Sequence, residues 1–173
     1  MKRTGTPLVA KGFTLIELLL YTVIVGTLLL AVVSFYSMSA SARVKNQTID
    51  EVNQQGILAM NTIMRTVRNA SGITMPANGA TGSSLTLTVP AAAQSPTVFS
   101  LSSATLQVTE GAGTAVPLTN SKIRVTDFTV KNLTRSGTYA HVQVSLTLAR
   151  TNDNNRYEFD YQKTFTSSGE LQW

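Results

Sequence analysis

The sequence predicts an α+β fold in which a long N-terminal helix packs on an antiparallel β-meander. Residues 18–42 carry no charged side chain, and a helix needs about 20 apolar residues to span a bilayer. Residues 49–67 repeat apolar side chains every three or four positions, which is typical of an amphipathic helix. From residue 85 onward, short runs alternate apolar and polar side chains. A helix followed by several such strands favours the α+β class.

Length and charge leave room for one folded domain beside the membrane segment. The chain has 173 residues, and 13% of them are charged. Three of its 14 cations, Lys2, Arg3 and Lys11, precede the apolar run, so 11 cations face 9 acids in the remainder. Basic residues in that place hold the preceding end of a membrane helix in the cytoplasm. The net charge of +5 is therefore weak evidence for an acidic partner.

The helix is expected to begin near Phe13 and to end near Ser71, because Gly72 and Pro76 stop helices. Such a helix would be about 90 Å long, more than a small domain needs. We expect the apolar face of its second half to pack on the protein's own sheet. This face consists of Ile49, Val52, Gly56, Ala59, Ile63 and Val67, with Met60 and Met64 beside it.

The strands are predicted from period-two alternation between turn residues. The predicted strand segments are residues 85–89, 97–101, 104–108, 123–130, 142–148 and 157–165. We expect a hairpin turn at Ser102 and Ser103, further turns at residues 135–137 and 152–155, and a bulge at Asp127, where the apolar parity changes. In the last strand, aromatic side chains are expected to face the core and polar ones the solvent. The two sets are Tyr157, Phe159, Tyr161 and Phe165, against Glu158, Asp160 and Gln162.

The segment from Lys11 to Tyr36 contains Gly12-Phe13-Thr14-Leu15-Ile16-Glu17 ahead of the uncharged run. It resembles the N-terminus of type IV prepilins and of type II secretion pseudopilins. The resemblance implies a class III prepilin leader that is cut between Gly12 and Phe13. It also implies that the peptidase N-methylates Phe13, and that Glu17 is the motif's acid, acting in assembly.

Other positions refine this resemblance. Gly26 and Tyr36 stand where pilins commonly carry them, whereas Ser34 replaces a proline of many major pilins. The departure at Ser34 favours a minor pilin or a pseudopilin. The chain from Val98 onward is loosely similar to J-type minor pseudopilins and to related minor pilins.

The resemblance divides the chain into a leader (residues 1–12), a transmembrane and assembly helix (13–42) and a periplasmic or extracellular pilin-like α+β domain (43–173). It implies a structural subunit of a type IV pilus or type II secretion pseudopilus. The subunit would cross the inner membrane once, with most of the chain outside the cytoplasm, before entering the fibre. The implied partners are other pilin or pseudopilin subunits, the prepilin peptidase and methyltransferase, and the inner-membrane assembly platform. No cofactor is expected.

Glu17 is a costly residue at the edge of a membrane segment, and such acids indicate function. Cleavage after Gly12 would free a cationic amine on Phe13, and a buried charge needs a partner. Glu17 of a neighbouring subunit would supply one and set the axial register. Glu17 would alternatively pair with its own N-terminus, one helical turn away, and the sequence does not separate the two.

The N-terminus and the function each have an alternative interpretation. Ser39-Ala40-Ser41-Ala42 resembles the cleavage site of a secretory signal peptide, but the apolar run is long and Glu17 interrupts its start.

The alternative function is that of a membrane-anchored or pilus-tip binding module, either an adhesin or a DNA-binding minor pilin. Clustered cations would support nucleic-acid binding, but nearby acids dilute them and favour a solvated face. The cations are Lys122, Arg124, Lys131 and Arg135.

Enzymatic and metal-binding functions find little support. His141 is the single histidine, and its place beside Val142 predicts the solvent face of a strand. Without cysteine or a second histidine, the usual catalytic groups are not assembled, so we expect no catalytic residue. Asn152-Asp153-Asn154-Asn155 has calcium-type oxygens but lacks the spacing of a calcium loop. A turn explains these residues better, and no metal site is expected.

Overall fold

A long helix runs through most of the first third of the protein. The computed structural model describes residues 12–135, 140–152 and 154–172. The chain divides into two compact units with the boundary between Ala42 and Arg43, and each is described by itself. Helix α1 (Leu15–Arg68) begins in the first unit and ends in the second. The predicted helix is confirmed, although it begins two residues later and ends three residues earlier than expected.

Helix α1 ends before Ser71 because the following backbone groups find partners in a strand. The Ala70 N–H still donates to the Val67 carbonyl, at 3.1 Å, in a final tight turn. The Ser71 N–H instead donates to the Thr88 carbonyl at 2.7 Å, and its hydroxyl donates to the same oxygen at 3.1 Å. The segment expected to be the last helical turn is therefore the entry to the first strand.

The second unit contains nine strands in the described residues. They are β1 (Gly72–Met75), β2 (Thr81–Gly82), β3 (Ser84–Thr88), β4 (Thr97–Ser102), β5 (Thr105–Glu110), β6 (Val116–Pro117), β7 (Ile123–Asn132), β8 (His141–Arg150) and β9 (Gln162–Glu170). One sheet has the order β1-β3-β4-β5-β6 and the other β2-β7-β8-β9. All pairings are antiparallel, as predicted.

The predicted antiparallel meander is divided between two sheets, in which β3-β4-β5-β6 and β7-β8-β9 are consecutive neighbours. Strand β2 follows β1 in the chain but belongs to the other sheet, where it pairs with β7 and Thr81 lies opposite Lys131. Strands β1, β2 and β6 lie outside the predicted strand segments. They are only two to four residues long, too short for an alternation pattern to show.

The second half of α1 packs on the sheets through the predicted face. Val52, Ile63 and Val67 are fully buried, whereas Ile49 at the start of the face is only half-buried. Alternate residues of β8 are also fully buried: Val142, Val144, Leu146 and Leu148. The predicted amphipathic helix and the alternation of β8 are both confirmed, and together they form much of the core.

Glycines permit two close approaches between α1 and β9. Gly56 of α1 lies against the ring of Phe165, and a Cβ at Gly56 would come within 2.6 Å of the ring atom Cδ2. Gly169 of β9 lies against Met64 and Val67, with both neighbours 3.4 Å from the position of an added Cβ. The glycine on the helix is therefore explained by the aromatic residue on the strand.

Two local predictions hold after a shift of one residue. Strands β4 and β5 form the expected hairpin, but Ser102 pairs with Thr105, so its turn residues are Ser103 and Ala104. Both have positive φ, 48° and 60°, as a two-residue hairpin turn requires. The bulge in β7 is also present. Its register shifts between Val125 and Asp127, which leaves the residue between them as the extra one.

The predicted start of the last strand is wrong. Residues Tyr157–Phe159 form a short 3-10 helix, and β9 begins only at Gln162. Glu158, expected in solvent, is 6% exposed, whereas Tyr157, expected in the core, is 66% exposed. Phe165 does pack against the core, as predicted.

The two predicted turns lie partly or wholly at gaps in the described chain. In residues 152–155 the Asn155 N–H donates to the Asn152 carbonyl at 3.4 Å, which agrees with a turn. Asp153 lies outside the described residues, as do Ser136 and Gly137 of the other predicted turn.

Candidate functional site

The start of α1 carries the predicted site residues, and its backbone is capped by Thr14. The Thr14 hydroxyl oxygen accepts a hydrogen bond from the Glu17 N–H at 3.3 Å, and the Thr14 carbonyl accepts one from the same group at 3.1 Å. Thr14 is therefore the N-cap residue, and Glu17 is the third helical residue. Thr-x-x-Glu is the pattern of a capping box, and this pattern is a signal in the sequence from which the cap could have been predicted.

The Glu17 carboxylate is directed along the helix to the next turn. The Tyr21 hydroxyl donates to Glu17 Oε1 at 3.3 Å. The ring of Phe13 meets the ring of Tyr21 edge-on, with centroids 6.2 Å apart and planes at 73°. Glu17 also suits this place electrostatically, because a carboxylate in the first turn faces the positive end of the helix dipole.

Gly12 and Phe13 lie immediately before the helix and are exposed. A side chain at Gly12 would meet no atom within 4 Å, so no contact among the described residues explains a glycine here. The Phe13 side chain is 74% exposed. The described structure thus gives neither residue a role in the core.

The helix beyond Glu17 is long and apolar enough to cross a membrane, and nothing in its most apolar window is buried within the protein. Its hydroxyl groups are satisfied by the helix itself: Thr22, Thr27, Ser34 and Ser37 donate to carbonyls three or four residues earlier, at 2.8–2.9 Å. These polar side chains therefore carry no unpaired donor into an apolar environment.

An open apolar groove of about 530 Å³ runs along this part of α1. It lies between Phe13 and Leu29, with Tyr21 and Gly26 in its lining. An added Cβ at Gly26 would meet nothing within 4 Å, so this glycine also has no packing partner within the described chain. The groove and Glu17 lie on the same stretch of helix.

The predicted cations do not form one patch. Lys122, Arg124, Lys131 and Arg135 are all exposed, but they follow the length of β7. Arg124 and Lys131 are seven positions apart, or about 23 Å along a strand. Asp127 lies between them and accepts hydrogen bonds from the Thr129 hydroxyl at 3.0 and 3.2 Å. The expectation of a solvated face agrees with this arrangement.

His141 and the Asn-rich segment have local partners. His141 is half-buried at the start of β8, and its Nδ1 lies 3.6 Å from Glu170 Oε1 on the paired strand. Asn152 closes its turn by accepting from the Arg156 N–H at 2.8 Å and donating to the Arg156 carbonyl at 2.9 Å. Within the described chain, no three His, Asp or Glu side chains are grouped as metal ligands.

A network that the sequence did not reveal ties the segment before β9 to α1. The Lys45 ammonium donates to the Asp160 carbonyl at 2.7 Å and to the Tyr157 carbonyl at 3.1 Å. Further along α1, Glu51 forms an ion pair with Arg150. These long-range contacts join residues about a hundred positions apart, for which no local signal exists.

Comparison of the chain with protein-family models, with curated protein sequences and with solved structures gave no significant match.

Proposed function

We propose that this protein is a type IV pilin-like subunit, a minor pilin or a type II secretion pseudopilin, that assembles through α1 after its leader is removed. One observation carries the proposal. A single helix has an exposed, uncharged first part with one acid in its first turn, and a second part that is buried on the sheets of the folded unit. The resemblance of residues 11–36 to prepilins supports it.

The two parts of α1 suit two tasks. The folded unit packs the predicted apolar face of its own half of the helix against its sheets. The described part of the first unit exposes large apolar side chains from Phe13 to Met38, including Leu19 and Leu29. Such a surface is stable in lipid or against other apolar helices but not in water. Membrane anchoring followed by packing in a fibre accounts for both parts.

The proposed processing step uses Gly12 and Phe13. Both are exposed ahead of the helix, and a glycine allows the backbone to enter a narrow active site. Cleavage after Gly12 would remove the basic leader and leave Phe13 with a free amine, which the same enzyme methylates. The first helical turn, capped by Thr14, would remain in the mature protein.

The proposed assembly step uses Glu17. A charged acid costs about 2.5–3.5 kcal/mol at the centre of a membrane helix and less near the interface. Pairing with the cationic amine of Phe13 in a neighbouring subunit would offset this cost. A subunit displaced along the fibre would leave both charges unpaired, so the pair selects one axial register.

The experiment is the substitution Glu17→Ala in the full-length protein in its native membrane. The variant should insert at least as well as the wild type and still be cut after Gly12, because neither step needs the carboxylate. Its amount in fibres sheared from the cells should fall strongly relative to its amount in the membrane. Equal incorporation at equal membrane levels would refute the assembly role of Glu17.

A further inference from the structure

Tyr21 is the residue that holds the carboxylate of Glu17. The two residues are four apart on α1, and the Tyr21 hydroxyl donates to Glu17 Oε1 at 3.3 Å. Helical side chains lean toward the N-terminus, so a residue covers the turn that precedes it. The tyrosine therefore reaches back over the turn that contains Glu17. Its ring is also in edge contact with Phe13, which steadies it.

The hydrogen bond from Tyr21 to Glu17 lies in a segment with few other polar groups that could replace it. Between Leu18 and Ala42 the chain has no charged side chain, and the hydroxyls of Thr22 and Thr27 are already bonded to carbonyls of their own helix. In the described residues, Tyr21 is the side chain that donates a hydrogen bond to Glu17. Inside the apolar helix bundle of the proposed fibre no water replaces this donor, so losing it would leave a carboxylate oxygen unpaired.

We infer that Tyr21 is a positioning residue, which fixes the Glu17 carboxylate in one orientation so that it receives the cationic group of a neighbouring subunit. The inference rests on the proposed assembly function. A carboxylate has two oxygens and accepts several hydrogen bonds. Tyr21 occupies Oε1 and leaves Oε2 for the neighbour's amine. Because the side chain is already ordered, less rotational freedom is lost when the subunits meet.

The chain offers a matched control for this tyrosine. Tyr36 lies on the same helix and is 75% exposed, compared with 50% for Tyr21. Tyr36→Phe and Tyr21→Phe remove the same hydroxyl group from the same uncharged segment and keep the ring. They differ in the neighbouring acid, because Glu17 lies one turn before Tyr21 and the turn before Tyr36 contains no acid.

The first measurement tests the contact and needs no fibre. The processed full-length protein is placed in lipid bilayers with isotope-labelled tyrosine, and the phenol carbon that bears the hydroxyl is observed by solid-state NMR. The Tyr21→Phe spectrum identifies the Tyr21 signal among those of the five tyrosines. Glu17→Ala should move the Tyr21 signal and leave the Tyr36 signal in place. An unmoved Tyr21 signal would overturn the inference.

The second measurement tests what the contact does. Tyr21→Phe should be inserted and cleaved like the wild type, and its share in sheared fibres should fall by about two- to tenfold, the range expected for one hydrogen bond. Tyr36→Phe should be incorporated like the wild type. Normal incorporation of Tyr21→Phe would overturn the inference, as would defective insertion or cleavage, since the tyrosine would then serve the anchor.

Failure of this inference and failure of the proposed function have different signatures. If Glu17→Ala enters fibres normally, the assembly role of Glu17 is lost, and with it the purpose of the tyrosine. If Glu17→Ala is excluded but Tyr21→Phe enters normally, Glu17 keeps its role and Tyr21 alone is dismissed.

Discussion

Substituting Gly56 tests how closely α1 packs on β9. An added Cβ would lie 2.6 Å from Cδ2 of Phe165 and even nearer to two other atoms of that ring, whereas carbon atoms prefer about 3.5–4.0 Å. In Gly56→Ala the ring must therefore move by about 1 Å. Overpacking of this kind costs about 1–3 kcal/mol. Alanine is itself the better helix former by about 1 kcal/mol, so the net loss of unfolding free energy should be about 1 kcal/mol.

A double-mutant cycle separates these two contributions. In a Phe165→Ala background the obstacle is absent, and Gly56→Ala should then stabilise the protein by about 0.5–1 kcal/mol through helix propensity alone. The sign of the effect should thus reverse between the two backgrounds, with a coupling energy of about 2 kcal/mol. Asn61→Ala, an exposed change on the same helix, should stay within about 0.5 kcal/mol of the wild type.

The assay is equilibrium unfolding by urea, monitored by circular dichroism, on the unit that begins at Arg43. In a thermal melt of the same unit, a change of 1 kcal/mol in unfolding free energy would shift the melting temperature by about 3–5 °C. A similar effect of Gly56→Ala in both backgrounds would show that the Phe165 ring does not limit the approach of the helix. The packing described for α1 and β9 would then be wrong.

Three further predictions concern the leader, the folded unit and Lys45. Intact mass of the protein from its native membrane should show loss of residues 1–12, and a mature protein that retains Lys11 would refute the prepilin assignment. The fragment from Arg43 onward should be soluble, monomeric and mixed α/β by circular dichroism, and an insoluble or unfolded product would contradict the packed half-helix. Lys45→Met should speed amide hydrogen exchange in residues 157–161, because two carbonyls there lose their donor. Unchanged exchange would show that the Lys45 hydrogen bonds do not stabilise this segment.

Periodic patterns predicted the parts of the fold that bury a regular face. The helical spacing from Val52 to Val67 and the alternation from Val142 to Leu148 each describe one element against a continuous core, and both were confirmed. The bulge in β7 was also visible, because an extra residue reverses the parity of every later side chain. In such elements the local sequence pattern and the tertiary packing favour the same residue types at the same positions.

Prediction was wrong where tertiary contacts override the local pattern. Residues 157–161 alternate like a strand, but the Lys45 ammonium donates hydrogen bonds to two carbonyls of this segment. The Asp160 N–H also donates to the Tyr157 carbonyl, at 3.3 Å. In the same segment the buried Glu158 forms an ion pair with Arg156, with Oε1 of Glu158 3.3 Å from Nη2 of Arg156. Strand β2 exists only because β7, fifty residues later, supplies its partners. A single sequence contains no local signal for these contacts.

The candidate site residues Gly12, Phe13 and Glu17 came from the sequence motif. In the structure, Gly12 and Phe13 lie just before α1 and Glu17 lies in its first turn. The cap by Thr14 and the contact with Tyr21 were not predicted. Both follow spacings of three and four residues that the helix rules cover. They were available from the sequence once Glu17 was placed in the first turn.

The two parts of α1 differ in what stabilises them, and this difference makes the site testable. In the folded unit the helix depends on burial, because Val52, Ile63 and Val67 are fully enclosed. Between Phe13 and Met38 the large apolar side chains are exposed, so within the described chain this part of the helix is stabilised by its own hydrogen bonds and its cap. A change at Glu17 or Tyr21 therefore removes nothing from the core of the folded unit. If such a variant is inserted and cleaved like the wild type, a loss of fibre incorporation then reports on subunit contacts and not on unfolding.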